Sequence, residues 1–143
     1  MEGMMLKKMP KVVVALGGAL ILAACAGGVQ KDLSAEAIVR DRASERWKLL
    51  VEGRLESAYN YQTPEYREIY DFKHFRRKFG TAGMWSKAEV KSVSCDEKCI
   101  ATIEIHVKMR PGRWGDVIET SEFVKEQWVR SADLDQWFYL SNE

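Results

Sequence analysis

Apolar and polar positions along this chain follow three successive patterns. The first is an unbroken run: Val12 to Ala24 is apolar or small throughout, behind Lys7, Lys8 and Lys11. The second is helical. Val39, Ala43, Trp47 and Leu50, with Val51 beside them, predict one apolar face of a 3.6-residue helix. Ser34 is placed to cap its free amides, Leu33 to pack on Ile38 as a staple, and Gly53 to end it. Leu55, Ala58 and Tyr59 predict a short second helix. Thr63 caps a third whose first turn holds Pro64, where a missing N–H costs nothing. Asp71 caps a further segment with Phe72, Phe75 and Phe79 on one side and Gly80 as its stop.

The third pattern has period two. Cys99, Ala101, Ile103, Ile105, Val107 and Met109 alternate with Ile100, Thr102, Glu104, His106 and Lys108, which predicts a half-buried strand. Ahead of it, Ala88–Val90 and Val93–Cys95 keep the period but change phase, so a bulge is expected near Lys91 and Ser92. Strands about Ile118 to Arg130 and Gln136 to Leu140 follow, joined by a turn over Ala132 to Asp135. Helices first and an antiparallel meander afterwards make an α+β domain, its N-terminal helices packed on a mainly antiparallel four-stranded sheet.

The opening run has the layout of an export signal: a basic start, a thirteen-residue apolar stretch and a small-residue exit. As a helix it would extend only about 20 Å, short of the roughly 30 Å hydrocarbon core, so a permanent span is the weaker reading. Leu22-Ala23-Ala24-Cys25 resembles the lipobox of bacterial lipoprotein signals. That resemblance implies that Cys25 is lipidated and becomes the first mature residue. Ala26, where an aspartate would favour inner-membrane retention, implies the outer membrane, with the domain in the periplasm. Two or more acyl chains hold stably where one is marginal. The organisation expected is a signal over 1–25, a short tether over 26–32 and one domain over 33–143, the tether keeping that domain within roughly 20 Å of the bilayer.

Without residues 1–25 the chain carries 19 basic and 20 acidic side chains, a balance that offers no field for nucleic acid. The stretches "SERWKLLVEGRLESAYNYQTPEY", "FRRKFG" and "EQWVR...DQWFYL", in that order, resemble small proteobacterial lipoproteins of the nuclear transport factor 2-like superfamily. The resemblance implies a curved sheet wrapped around helices into a cone with an open end. It implies no particular activity, since that fold hosts enzymes, ligand binders and interaction domains.

Five groups of residues are candidates for function. Cys95 and Cys99 bracket a tight hairpin in an exported chain, which favours a structural disulfide over a redox or zinc site. In "FKHFRRKF", Lys73, His74, Arg76, Arg77 and Lys78 form either a face for anionic lipid or a solvated helix side. Trp47, Tyr66 and Trp128 either line a cavity or are simply core. Glu126 shares a strand face with Trp128, and an inward carboxylate there is either a general base or half of an ion pair with an arginine. In "RPGRWGD", Arg113 and Trp114 either anchor an interface or fold back on the sheet.

Enzymes of the resembling superfamily set an Asp, often with His or Tyr, at the cone floor. Here the two histidines fall in the basic helix (His74) and on a polar strand face (His106), and the sequence has no phosphate loop or nucleophile elbow. The expectation is therefore a lipid-anchored, non-enzymatic domain, without cofactor or metal, that binds a protein or another envelope component. The alternatives are a binding module for a small apolar ligand and an isomerase- or dehydratase-like enzyme using Glu126.

Overall fold

In a computed structural model the described residues are 33–80, 82–113 and 115–142. Cys25, the signal and the tether lie outside them, as does Trp114.

Local chemistry accounts for each helix. α1 (Ala35–Val51) begins where the Ser34 hydroxyl accepts from the Ala37 amide at 3.3 Å. It ends where Gly53, at φ +72°, lets Arg54 N–H reach the Leu49 carbonyl and its own N–H reach Leu50. Any residue with a Cβ would be strained there. Leu33 stays 56% exposed and borders an open hollow with Ile38, so the expected staple covers little. α2 (Leu55–Tyr59) follows at once. α3 (Pro64–Ile69) is capped by the Thr63 hydroxyl on Tyr66 N–H, and α4 (Phe72–Arg77) by the Asp71 carboxylate on His74 N–H at 2.7 Å. Among the described residues no helix is long and apolar enough to cross a membrane.

A 3₁₀ turn over Ala82–Met84 leads into four antiparallel strands in sequence order: β1 (Trp85–Cys95), β2 (Cys99–Met109), β3 (Ile118–Ser131) and β4 (Gln136–Leu140). The register of β1 on β2 shifts between Val90 and Ser92, where the change of phase placed a bulge, and again between Trp85 and Lys87. Cys95 pairs with Cys99 across the hairpin, and the two sulfurs stand at disulfide distance with Cα atoms 4.0 Å apart. The protein is thus an α+β domain.

The core lies between α1 and the buried face of the sheet. Val39, Ala43, Trp47 and Leu50 meet Cys99, Ala101, Ile103 and Ile105 of β2 and Trp128 of β3. Phe75 closes one side, its ring 5.4 Å from Tyr59 and 4.7 Å from Phe79. Tyr61 and Gln62 tie the helical half to the last strand: Tyr139 N–H donates to the Tyr61 carbonyl at 2.8 Å, and Gln62 pairs with Tyr139 in a parallel bridge.

Candidate functional site

Two buried charges meet inside the domain. Arg46 lies seven residues after Val39 and three after Ala43, which puts it within the stripe that α1 turns to the sheet. Glu126 alternates with Val124 and Trp128 on β3 and stands opposite the small Ala101 of β2, which leaves room for its side chain. Arg46 Nη1 donates to Glu126 Oε1, and both residues are under 5% exposed. The indole N–H of Trp128 donates to the second carboxylate oxygen at 3.3 Å. The guanidinium also lies 4.0 Å from the ring centroid of Tyr139, a cation–π contact.

Burial pushes the Glu126 carboxyl above its ordinary value, against the pull of Arg46 and of the Trp128 N–H. Burial likewise raises the Tyr139 hydroxyl, again opposed by Arg46. The carboxylate is thus neutralised by an arginine and anchored by an indole. A general base needs a carboxylate free to take a proton from a substrate.

A cavity of about 300 Å³ opens onto this pair, lined by Arg46, Trp47, Gln62, Glu126, Tyr139 and neighbours from α4 and the C-terminal residues. Gln62 is 2% exposed, and among the described residues its Oε1 has no hydrogen-bond partner. A larger hollow of about 460 Å³ lies elsewhere, between the start of α1 and the β3–β4 hairpin, lined by Leu33, Ile38, Arg42 and Trp137. It holds no buried ion pair, and the chemistry resides in the smaller one.

The predicted cavity residues divide. Trp47 and Glu126 line the cavity. Trp128 is fully buried and reaches the site through its N–H, whereas Tyr66 packs against Tyr59 and Tyr70 in the core. Arg46 and Gln62 belong to the site and were not among the residues singled out from sequence. For Arg46 a signal existed, a cation at an apolar position of the helix stripe; for Gln62 none did.

The predicted surface residues are exposed. Lys73, Arg76 and Arg77 stand out on α4, and His74 stacks on Tyr70 with centroids 4.5 Å apart. Arg113 is exposed in the β2–β3 connection. That hairpin has a further feature. β4 pairs only with Gln127–Ser131, so among the described residues Ile118–Glu126 of β3 has a strand neighbour on one side alone. Met109, Val117, Ile118 and Phe123 are all exposed along this end, Phe123 to 63%.

No family model matches the chain, and no curated protein matches it.

Proposed function

We propose that this chain is a lipid-anchored, non-enzymatic binding domain of the nuclear transport factor 2-like kind. It is fastened through Cys25 at the periplasmic face of the outer membrane and engages a protein partner there through the far end of the β2–β3 hairpin. The observation that carries the reading is the open edge of β3 beside four exposed apolar side chains. A strand edge of this length is a template for an added strand, with backbone hydrogen bonds supplying affinity and apolar contacts supplying choice. The pairing of Glu126 with Arg46 supports a binding role over proton transfer.

A photo-crosslinking residue at position 123, introduced in living cells with the same residue at position 73 as control, tests this. The expected result is one discrete adduct from position 123 that Ile118→Asp abolishes. The absence of an adduct there would sink the reading. Cys25→Ser should move the chain from the membrane fraction to the soluble one, and retention on membranes would remove the anchor.

A second reading has its own support. Gln62 Oε1, buried and unpartnered at the cavity, suits a small, mostly apolar ligand bearing one hydrogen-bond donor. Native mass spectrometry of the purified chain showing one stoichiometric small molecule, lost in Gln62→Leu, would favour it over the protein partner.

A further inference from the structure

On the sheet face turned away from the core, Glu89 of β1 stands directly opposite Glu104 of β2, and His106 follows two residues along β2 on the same face. Like charges directly opposite each other on an antiparallel pair are destabilising. This pair of carboxylates is nonetheless held between the two register shifts of β1, which flank Lys87–Val90. One ligand atom from each of the three residues lies within 4.8 Å of the others. His106 Nε2 is 3.7 Å from Glu89 Oε2 and 3.7 Å from Glu104 Oε2. It is closed off from solvent and has no hydrogen-bond partner among the described residues.

We infer that Glu89, Glu104 and His106 form a site for one divalent cation of the zinc class. Tetrahedral zinc holds nitrogen and oxygen donors at about 2.0–2.2 Å, which sets those donors roughly 3.4 Å apart. The two separations at His106 are within about 0.3 Å of that spacing, and the two carboxylates, whose ligand atoms lie within 4.8 Å of each other, have to close the remainder. One imidazole with two carboxylates matches zinc better than magnesium or calcium, which take oxygen. Glu89 is 40% exposed, so the set is open on its carboxylate side and a water could take the fourth position there.

The competitors for the carboxylates are lysines. Lys87 Nζ takes Glu89 Oε1 at 2.8 Å and leaves Oε2 facing the histidine. Lys91 Nζ takes Glu104 Oε2 at 3.2 Å, the same oxygen that faces His106, and so opposes the cation directly.

Zinc titration of the purified full-length chain by calorimetry tests the site. The expected result is saturable binding of one zinc, weakened in His106→Gln and in Glu104→Gln by more than the about 10–100-fold that loss of a mere supporting group costs. His74→Gln, which alters the other histidine, should leave binding unchanged. Lys91→Met should tighten it, the reverse of what loss of a structural ion pair would do. Ring-nitrogen NMR should show the His106 Nε2 resonance moving on zinc addition. All substituted side chains are at least partly exposed, and unchanged thermal melts establish that the variants fold. No saturable binding, equal binding in His106→Gln, or equal affinity for magnesium would each overturn the assignment.

Discussion

Replacing Arg46 by methionine is expected to make the stability of this domain depend steeply on pH. Methionine keeps much of the stem and removes the guanidinium, leaving Glu126, 4% exposed, with no cation beside it. The folded chain then tolerates Glu126 only by protonating it. Its ordinary value is 4.5, and burial without a cation drives it upward, so the folded variant keeps at pH 7 a proton that the unfolded chain has given up, and the cost is smaller at pH 5, close to the ordinary value. At pH 7 the expected loss is that of a buried pair deprived of one partner, about 3–5 kcal/mol.

The sign follows from proton counting. An acid whose value is raised on folding keeps a proton that the unfolded chain gives up. Stability is therefore greatest below the ordinary carboxylate value and falls as pH rises, until the folded-state value is passed. In the native protein burial drives Glu126 the same way, but Arg46 restrains it. The loss of the Tyr139 cation–π contact adds a term that does not vary with pH, so comparing the two pH values removes it. Urea unfolding of the native chain and Arg46→Met at pH 5 and pH 7 reads the effect. With a slope of about 1.5 kcal/mol/M, a loss of about 3–5 kcal/mol lowers the midpoint by about 2–3 M at pH 7, and by less at pH 5. The double variant Arg46→Met/Glu126→Leu should recover most of the loss, since apolar residues of similar size replace a buried pair at little cost. An Arg46→Met penalty equal at both pH values, or a double variant no better than the single one, would refute the reasoning.

Three further outcomes follow from the packing. Phe75→Ala removes a fully buried ring wedged between Tyr59 and Phe79 and should cost about 3–5 kcal/mol, visible by calorimetry as a fall in Tm of roughly 15 °C or more. Asp71→Ala deletes the cap on His74 N–H and should cost about 1 kcal/mol in chemical denaturation, with Asp71→Asn nearly neutral. Reducing the Cys95–Cys99 pair frees only a short loop, so stability should drop by about 2 kcal/mol; alkylation of oxidised, unfolded protein should label neither residue.

The elements themselves were legible because local rules governed them. Ser34, Thr63 and Asp71 each cap the helix that begins beside them, and Gly53 takes the positive φ that a helix stop requires. Strand parity likewise placed Glu126 on the face of Trp128. The identity of its partner was not legible from parity, since the register of β3 against α1 is decided by packing between residues far apart in sequence. Arg46 did carry a local mark. It lies three residues after Ala43 and four before Leu50, a place in the stripe where an unpaired charge would not be tolerated. The early start of β1 at Trp85 and its second register shift left no such mark, because Ser86 and Lys87 interrupt the alternation that would have announced them.

The cluster on the outer sheet face depends on the same distinction between parity and register. Within β2, Glu104 and His106 share a face by parity alone. Glu89 joins them only through the pairing of β1, and that pairing is set by the register shift after Val90. Downstream of it Val93 faces Ala101, and upstream Val90 faces Ile103, so apolar residues point into the core on both sides although their spacing is odd. Were the same residues paired without the bulge, keeping Val93 against Ala101 would turn Val90 outward, opposite Glu104, and carry Glu89 to the buried face, opposite Ile105, where an unpaired carboxylate is costly. The bulge therefore reconciles two stretches of opposite phase, and in doing so it sets Glu89 against Glu104. Deleting Lys91 makes Val90 and Ser92 successive, as their partners Ile103 and Thr102 are, so Glu89 stays opposite Glu104 while the competing lysine is gone. Zinc binding should therefore survive the deletion and strengthen, as in Lys91→Met; loss of binding in the deletion alone would show that the bulge itself shapes the site.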